Sequence, residues 1–182
     1  MRNILILLSS PRKNGNSDKL AKAFAEGAES AGNKNTTLTI RDMNINGCKG
    51  CEYCYNHNGE CRQDDDMQTV YKYLEETDII VFATPIYYQA FPSQLKAVVD
   101  RLYVTENKDY PVKGAVLLAT YSTPGTQMSD LTITYYKALI AYHKWKDLGI
   151  LVKDSLDEPN DIDNEAVLGE AFLLGKSIGE KL

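Results

Sequence analysis

NILILLSSPRKNGNS, Asn3 to Ser17, joins an apolar run to a polar, glycine-containing loop and the start of a helix. Asn3 to Leu8 has no polar alternation, the pattern of a strand covered on both faces. Ser9 to Asn16 is a loop, and Ser17 to Ala31 carries Leu20, Ala21, Phe24 and Ala28 on one helical stripe, with Gly32 placed to end it. Working outward, the same alternation of buried strand and amphipathic helix repeats. Thr36 to Arg41 reads as a β-branched second strand, and Met67 to Glu75 as a short helix. Asp78 to Thr84 (DIIVFAT), Gly114 to Ala119 (GAVLLA) and Leu148 to Lys153 read as further buried strands. Pro92 to Leu102, Gln127 to His143 and Asn164 to Lys181 read as helices, the first begun by proline. Alternating β and α elements with apolar strands predict a doubly wound α/β fold, a five-stranded parallel sheet with helices on both faces. Such sheets commonly take the order 2-1-3-4-5, with ligands at the carboxyl ends of the strands beside the switch point. The loops brought there are Ser9 to Asn16, Pro85 to Phe91 and Thr120 to Thr126.

The bulk composition narrows the function. The chain has 182 residues, a length that suits one domain spanning 1–182 with a long cysteine-containing loop at 44–66. It carries 20 Lys and Arg against 25 Asp and Glu, a net charge of -5, with no basic cluster, which argues against nucleic-acid binding. The apolar run near the start, Ile4 to Leu8, is too short to span a bilayer and short for a signal-peptide core. No membrane role is expected, and a cytoplasmic location follows, where disulfides are rare.

The first loop offers hydroxyls at Ser9, Ser10 and Ser17, amides at Asn14 and Asn16, cations at Arg12 and Lys13, and Gly15. Unpaired N–H groups at a helix start favour an anion, so a monophosphate suits this loop. Neither G-x-x-x-x-G-K-[ST] nor G-x-G-x-x-G is present, which disfavours a nucleoside triphosphate and the dinucleotide fingerprint. An ordinary polar loop capped by Asn16 or Ser17 would have the same composition.

The motif S-P-R-x-x-G-N-S after the first strand resembles the phosphate loop of the NAD(P)H-dependent FMN reductases and their relatives, which have a flavodoxin-like fold. TPIYYQAFPSQLKAVVDR, Thr84 to Arg101, resembles a second signature of that family, a P-x-Y loop followed by L-K-x-x-x-D-R. CKGCEYC with a following cysteine and DDM, Cys48 to Met67, resembles a third. The resemblance covers Asn3 to about Ala119, and beyond that only the order of elements agrees. It implies FMN phosphate contacts at Ser10, Arg12, Asn14, Asn16 and Ser17. It implies that Pro85, Ile86, Tyr87 and Tyr88 border the isoalloxazine, with Tyr121 and Ser122 completing the pocket. Relatives often have glycine at the position of Asn14 and a small residue near Gln89 or Ala90. The implied activity is hydride transfer from NAD(P)H to FMN and on to a small-molecule electron acceptor, in a homodimer or homotetramer. No protein acid or base is required, because the flavin carries the redox chemistry. His57 and His143 fall outside the expected pocket loops.

Cys48, Cys51, Cys54 and Cys61 read C-x2-C-x2-C-x6-C. The compact first three resemble a ferredoxin-type ligand run, so a [4Fe-4S] cluster on all four is one reading. Free or reversibly oxidised thiols are another, and a structural zinc is a third. The cluster reading resembles the iron–sulfur flavoproteins, a branch of the same family that passes electrons to FMN and would draw them from a ferredoxin-like donor. Asp64 to Asp66 reads as a solvated helix start, with Asp65 or Asp66 as cap. Asp100 and Arg101 read as a helix-end charge arrangement or salt bridge, with an oligomer contact as the alternative.

Overall fold

Strand β1 (Asn3–Leu8) pairs in parallel with β2 (Lys34–Thr39) on one side and β3 (Ile79–Pro85) on the other in the computed structural model, which describes residues 1–182. β4 (Gly114–Thr120) and β5 (Lys146–Lys153) follow outward from β3, so the order is β2-β1-β3-β4-β5, all parallel. Because β2 and β3 flank β1, the chain winds in opposite directions from that strand, and a crevice opens over its carboxyl end.

The unbroken apolar strands are explained by burial on both faces. Ile4, Ile6, Leu8, Val81 and Leu118 point to one face, covered by α1 (Asn16–Ser30) and α6 (Glu165–Ser177). Leu5, Leu7, Ile80, Phe82 and Leu117 point to the other, where α3 (Met67–Leu74), α4 (Ser93–Asp100) and α5 (Asp130–Tyr142) contribute Val70, Leu95 and Tyr136. A four-residue helix, α2 (Tyr53–Asn56), breaks the cysteine loop. No helix is long and apolar enough to cross a membrane.

Boundaries move where pairing rather than composition sets them. The second strand begins at Lys34, opposite Asn3, and ends at Thr39, where a 3-10 turn over Ile40–Asp42 replaces the last two expected residues. It is the edge strand and half-exposed, so its apolar pattern is weak. The fourth helix ends at Asp100 and continues as a 3-10 turn over Arg101–Glu106. The last helix is capped by Asn164, whose side chain accepts from the Ala166 N–H at 2.9 Å.

Candidate functional site

The loop after β1 is shaped by short-range bonds that leave the start of α1 open. Ser10 Oγ accepts from the Arg12 N–H at 3.2 Å, and Arg41 Nη1 donates to the Ser10 carbonyl at 3.0 Å. Gly15 caps the helix in an extended conformation, where an added Cβ would stand 3.3 Å from Arg12 Cβ. The N–H groups of the first turn have no intrahelical partner, and they carry the positive end of the helix dipole. Ser10, Asn16 and Ser17 are all buried, and Ser17 Oγ lies 2.7 Å from Thr120 Oγ1.

These groups border a cavity of about 130 Å³ lined by Ser10, Arg12, Gly15, Asn16 and Ser17, by Pro85 to Tyr87, and by Thr120 to Ser122. Three loops distant in sequence therefore converge at the switch point. Leu156, Asp157 and Pro159, from the segment between β5 and α6, complete the wall. Nothing local in that acidic segment marks it as part of a site; only the return of the chain to the carboxyl edge of the sheet brings it there. Asn14 does not line the cavity. It is exposed at φ 55, with its N–H bonded to Asp18 Oδ2 at 3.0 Å.

Next to the cavity lies a wider, more apolar shelf of about 410 Å³, lined by Ile86, Tyr87, Tyr88, Gln89, Tyr121, Ser122, Thr123 and Met128. Its rim is a tight turn closed by reciprocal Tyr87–Ala90 backbone bonds of 3.0 Å. Tyr88 and Gln89, at φ 47 and 63, occupy the left-handed region without being glycine. That conformation costs about 1–2 kcal/mol per residue. It is held from outside, where Thr132 Oγ1 donates to the Gln89 carbonyl at 2.8 Å. Tyr88 is fully exposed, so its ring is free to meet whatever enters the shelf.

The cysteine loop is tied to the body by a buried ion pair. Arg101 Nη1 meets Asp65 at 2.6 and 2.7 Å, with the two side chains 1% and 3% exposed. The same guanidinium donates to the Asn46 carbonyl at 3.2 Å and to Cys61 Sγ at 3.4 Å. Asp65 is therefore not a solvated helix start. Its carboxylate accepts from the Met67 N–H at 3.2 Å as expected of a cap, but the cation that justifies its burial comes from 36 residues away. Arg101 is equally unsuited to a subunit contact, being enclosed. Burial pushes both Asp65 and Cys61 up, and bonds to Arg101 and to nearby backbone outweigh it, holding each below its ordinary range. Cys54 is pushed up by burial and by the nearness of Cys61 and Cys48. All four cysteines are free thiols, and no three His, Cys, Asp or Glu side chains stand in a metal-binding arrangement.

The histidines lie away from the cavity and the shelf. His57 stacks on Tyr53 at 3.7 Å, and His143 stacks on Trp145 at 4.3 Å.

A parallel sheet ordered 2-1-3-4-5 with a polar cavity at its switch point defines a flavodoxin-like protein. The fold agrees with a solved NAD(P)H:quinone oxidoreductase from Methanothermobacter marburgensis, with a TM-score of 0.79 at 18% identity over 97% of this chain and 95% of that one. The chain belongs to the NADPH-dependent FMN reductase family, whose model matches residues 2–145. Among curated relatives it is 32% identical over 147 residues to the iron-sulfur flavoprotein of Methanosarcina thermophila, covering 79% of this chain and 72% of that protein. It is 38% identical over 96 residues to an iron-sulfur flavoprotein of Archaeoglobus fulgidus, covering 53% of this chain and 43% of that one. The matched region thus spans less than half of the second relative's length.

Proposed function

We propose that this chain is an FMN-dependent oxidoreductase that takes hydride from NAD(P)H and passes electrons to a small-molecule acceptor. One observation carries the reading: the polar cavity and the apolar shelf share Ile86, Tyr87, Tyr121 and Ser122, so they form one continuous site. A flavin mononucleotide has the same polarity, a phosphate at one end and a tricyclic ring at the other. Ser10, Ser17, Arg12 and the first-turn N–H groups of Asn16 and Ser17 would hold the phosphate. Pro85, Ile86, Tyr87, Tyr88, Tyr121 and Ser122 would border the ring. Bound FMN would supply the redox chemistry, and the chain's own residues bind it, orient it and leave one face open on the shelf. No side chain on the shelf is needed as acid or base. A cytoplasmic location belongs to the same reading.

An anaerobic absorbance spectrum of the purified protein, taken before and after NADH or NADPH, tests the reading. Flavin bands that bleach promptly are expected. Absence of bound flavin, or bands untouched by either nicotinamide, sinks it. Ser10→Ala combined with Ser17→Ala removes two hydroxyls and should weaken FMN binding by about tenfold or more, at about 1 kcal/mol for each bond lost. Unchanged affinity would displace the phosphate from this loop.

A second reading is favoured by the four cysteines within 48–61 and by the names of the curated relatives. In it Cys48, Cys51, Cys54 and Cys61 hold a [4Fe-4S] cluster, and the protein carries electrons from a ferredoxin-like donor to FMN. The donor set suits such a group in number and type, and its thiols would have to turn inward to converge. Iron and acid-labile sulfide in anaerobically prepared protein would support it, and the absence of both would remove it.

A further inference from the structure

The segment joining β5 to α6, DSLDEPNDIDN over 154–164, is bonded at every turn to the loop and helix start that form the polar cavity. Asn16 Nδ2 donates to the Glu158 carbonyl at 2.8 Å and to the Leu156 carbonyl at 3.4 Å, while Asn16 Oδ1 accepts from the Ile162 N–H at 3.3 Å. A side-chain amide has two N–H donors, and both are committed. Asn16 thus reaches a phosphate only through its backbone, and its side chain serves as a latch. Arg12 Nη1 adds a bond to the Asp157 carbonyl at 2.7 Å, leaving the rest of its guanidinium free. Lys19 Nζ holds Asn160 at 2.9 Å and Asp163 at 2.6 Å. Within the segment, Asp161 Oδ2 accepts from the N–H groups of Asp157 and Glu158 at 2.8 and 2.7 Å, and Ile162 is fully buried. This is a folded strap.

Its position is selective. Leu156, Asp157 and Pro159 wall the polar cavity, and none of them borders the apolar shelf. The strap therefore closes the end where the phosphate loop lies and leaves the ring end open. In a flavin mononucleotide the phosphate is the end of the molecule. In a dinucleotide the chain continues from that phosphate through a second phosphate to a nucleoside. That continuation needs space where the strap stands, and its added negative charge would approach Asp157, the acidic residue of the strap that lines the cavity.

We propose that the 154–164 strap, latched by Asn16, is the specificity element that makes this site accept a flavin mononucleotide and reject a flavin dinucleotide. The inference rests on the flavin reading above. Asn16 and Asp161 act as positioning residues, through the strap.

The test is binding of FMN, FAD and riboflavin to the wild-type chain, Asn16→Ala and Asp161→Ala, each verified as folded by circular dichroism. Asp161 lies outside the cavity lining, so that variant carries the test where loss of Asn16 disturbs the helix start. Wild type should bind FMN about 100-fold more tightly than FAD. Both variants should narrow that ratio by about tenfold or more, and riboflavin affinity, which does not involve the phosphate end, should stay within about threefold. An unchanged FMN-to-FAD ratio in both folded variants overturns the proposal, as does a wild-type chain that binds FAD as well as FMN. Failure of the wild-type chain to bind either FMN or riboflavin would instead overturn the flavin reading on which it stands.

Discussion

Arg101 is the largest fully buried side chain in the molecule, and its guanidinium reaches three separate parts of the cysteine loop: Asn46, Cys61 and Asp65. Tyr71 Oη in turn donates to the Arg101 carbonyl at 3.0 Å, so both ends of the residue are held. A buried charge is tolerated when it is paired, and removing one partner leaves the other desolvated and alone. Arg101→Met or Asp65→Ala should each cost about 3–5 kcal/mol in urea denaturation. The double replacement Arg101→Met with Asp65→Leu should cost less than the sum, because no orphan charge remains. Additive losses would show that the pair is not coupled. At the same scale, Asn16 illustrates how composition misleads: an amide in a phosphate loop reads as a ligand, yet its side chain is spent on the strap.

Two helices depend on what a glycine lacks. α1 and α6 cross so closely that a Cβ at Gly27 would stand 1.9 Å from the Phe172 carbonyl oxygen, and one at Gly175 would stand 2.0 Å from that of Phe24. Backbone cannot give way as a flexible side chain can. Gly27→Ala or Gly175→Ala should therefore lower stability by about 1–3 kcal/mol through forced separation, despite the gain in helix propensity. Gly169, also in α6, has nothing within 4 Å of its would-be Cβ. Gly169→Ala should raise stability by up to about 1 kcal/mol. Thermal melts of the three variants separate the two effects, and equal shifts would show that the crossing tolerates a methyl group. The contrast also locates the strap, since α6 follows it and is fixed against α1 by this crossing.

The molecule as a whole loses stability in acid for two reasons of the same sign. Burial pushes the His143 imidazole below its ordinary 6.5, so the folded state resists protonation there. Stability is full above about 6.5 and falls as pH drops toward the lower folded value. Asp65, held below its ordinary 3.8 by bonds that outweigh its burial, adds a second loss below about pH 3.8 as it is forced to protonate. His143→Phe should remove the first step of a stability-against-pH curve and leave the second. A curve unchanged by that substitution would clear His143 of the acid response. The alternating pattern and apolar strands already carry a parallel sheet with flanking helices, because a strand buried on both faces must be apolar along its whole length and parallel neighbours require helical crossovers. The order 2-1-3-4-5 is a common arrangement of such strands, which the pairing of β1 with both β2 and β3 realises. The three loops at the switch point were legible for the same reason: strand order alone brings them together. The half-exposed edge strand was legible only roughly, since its ends are set by pairing with β1. Local sequence offers Arg101 a salt bridge and Asp65 a helix cap but not their meeting, and it contains no trace of the αL turn at Tyr88 and Gln89 or of the strap at 154–164. Each depends on groups far apart in the chain, a cation meeting a carboxylate or an amide meeting carbonyls, and such partners are chosen only when the folded chain places them within a hydrogen bond of one another.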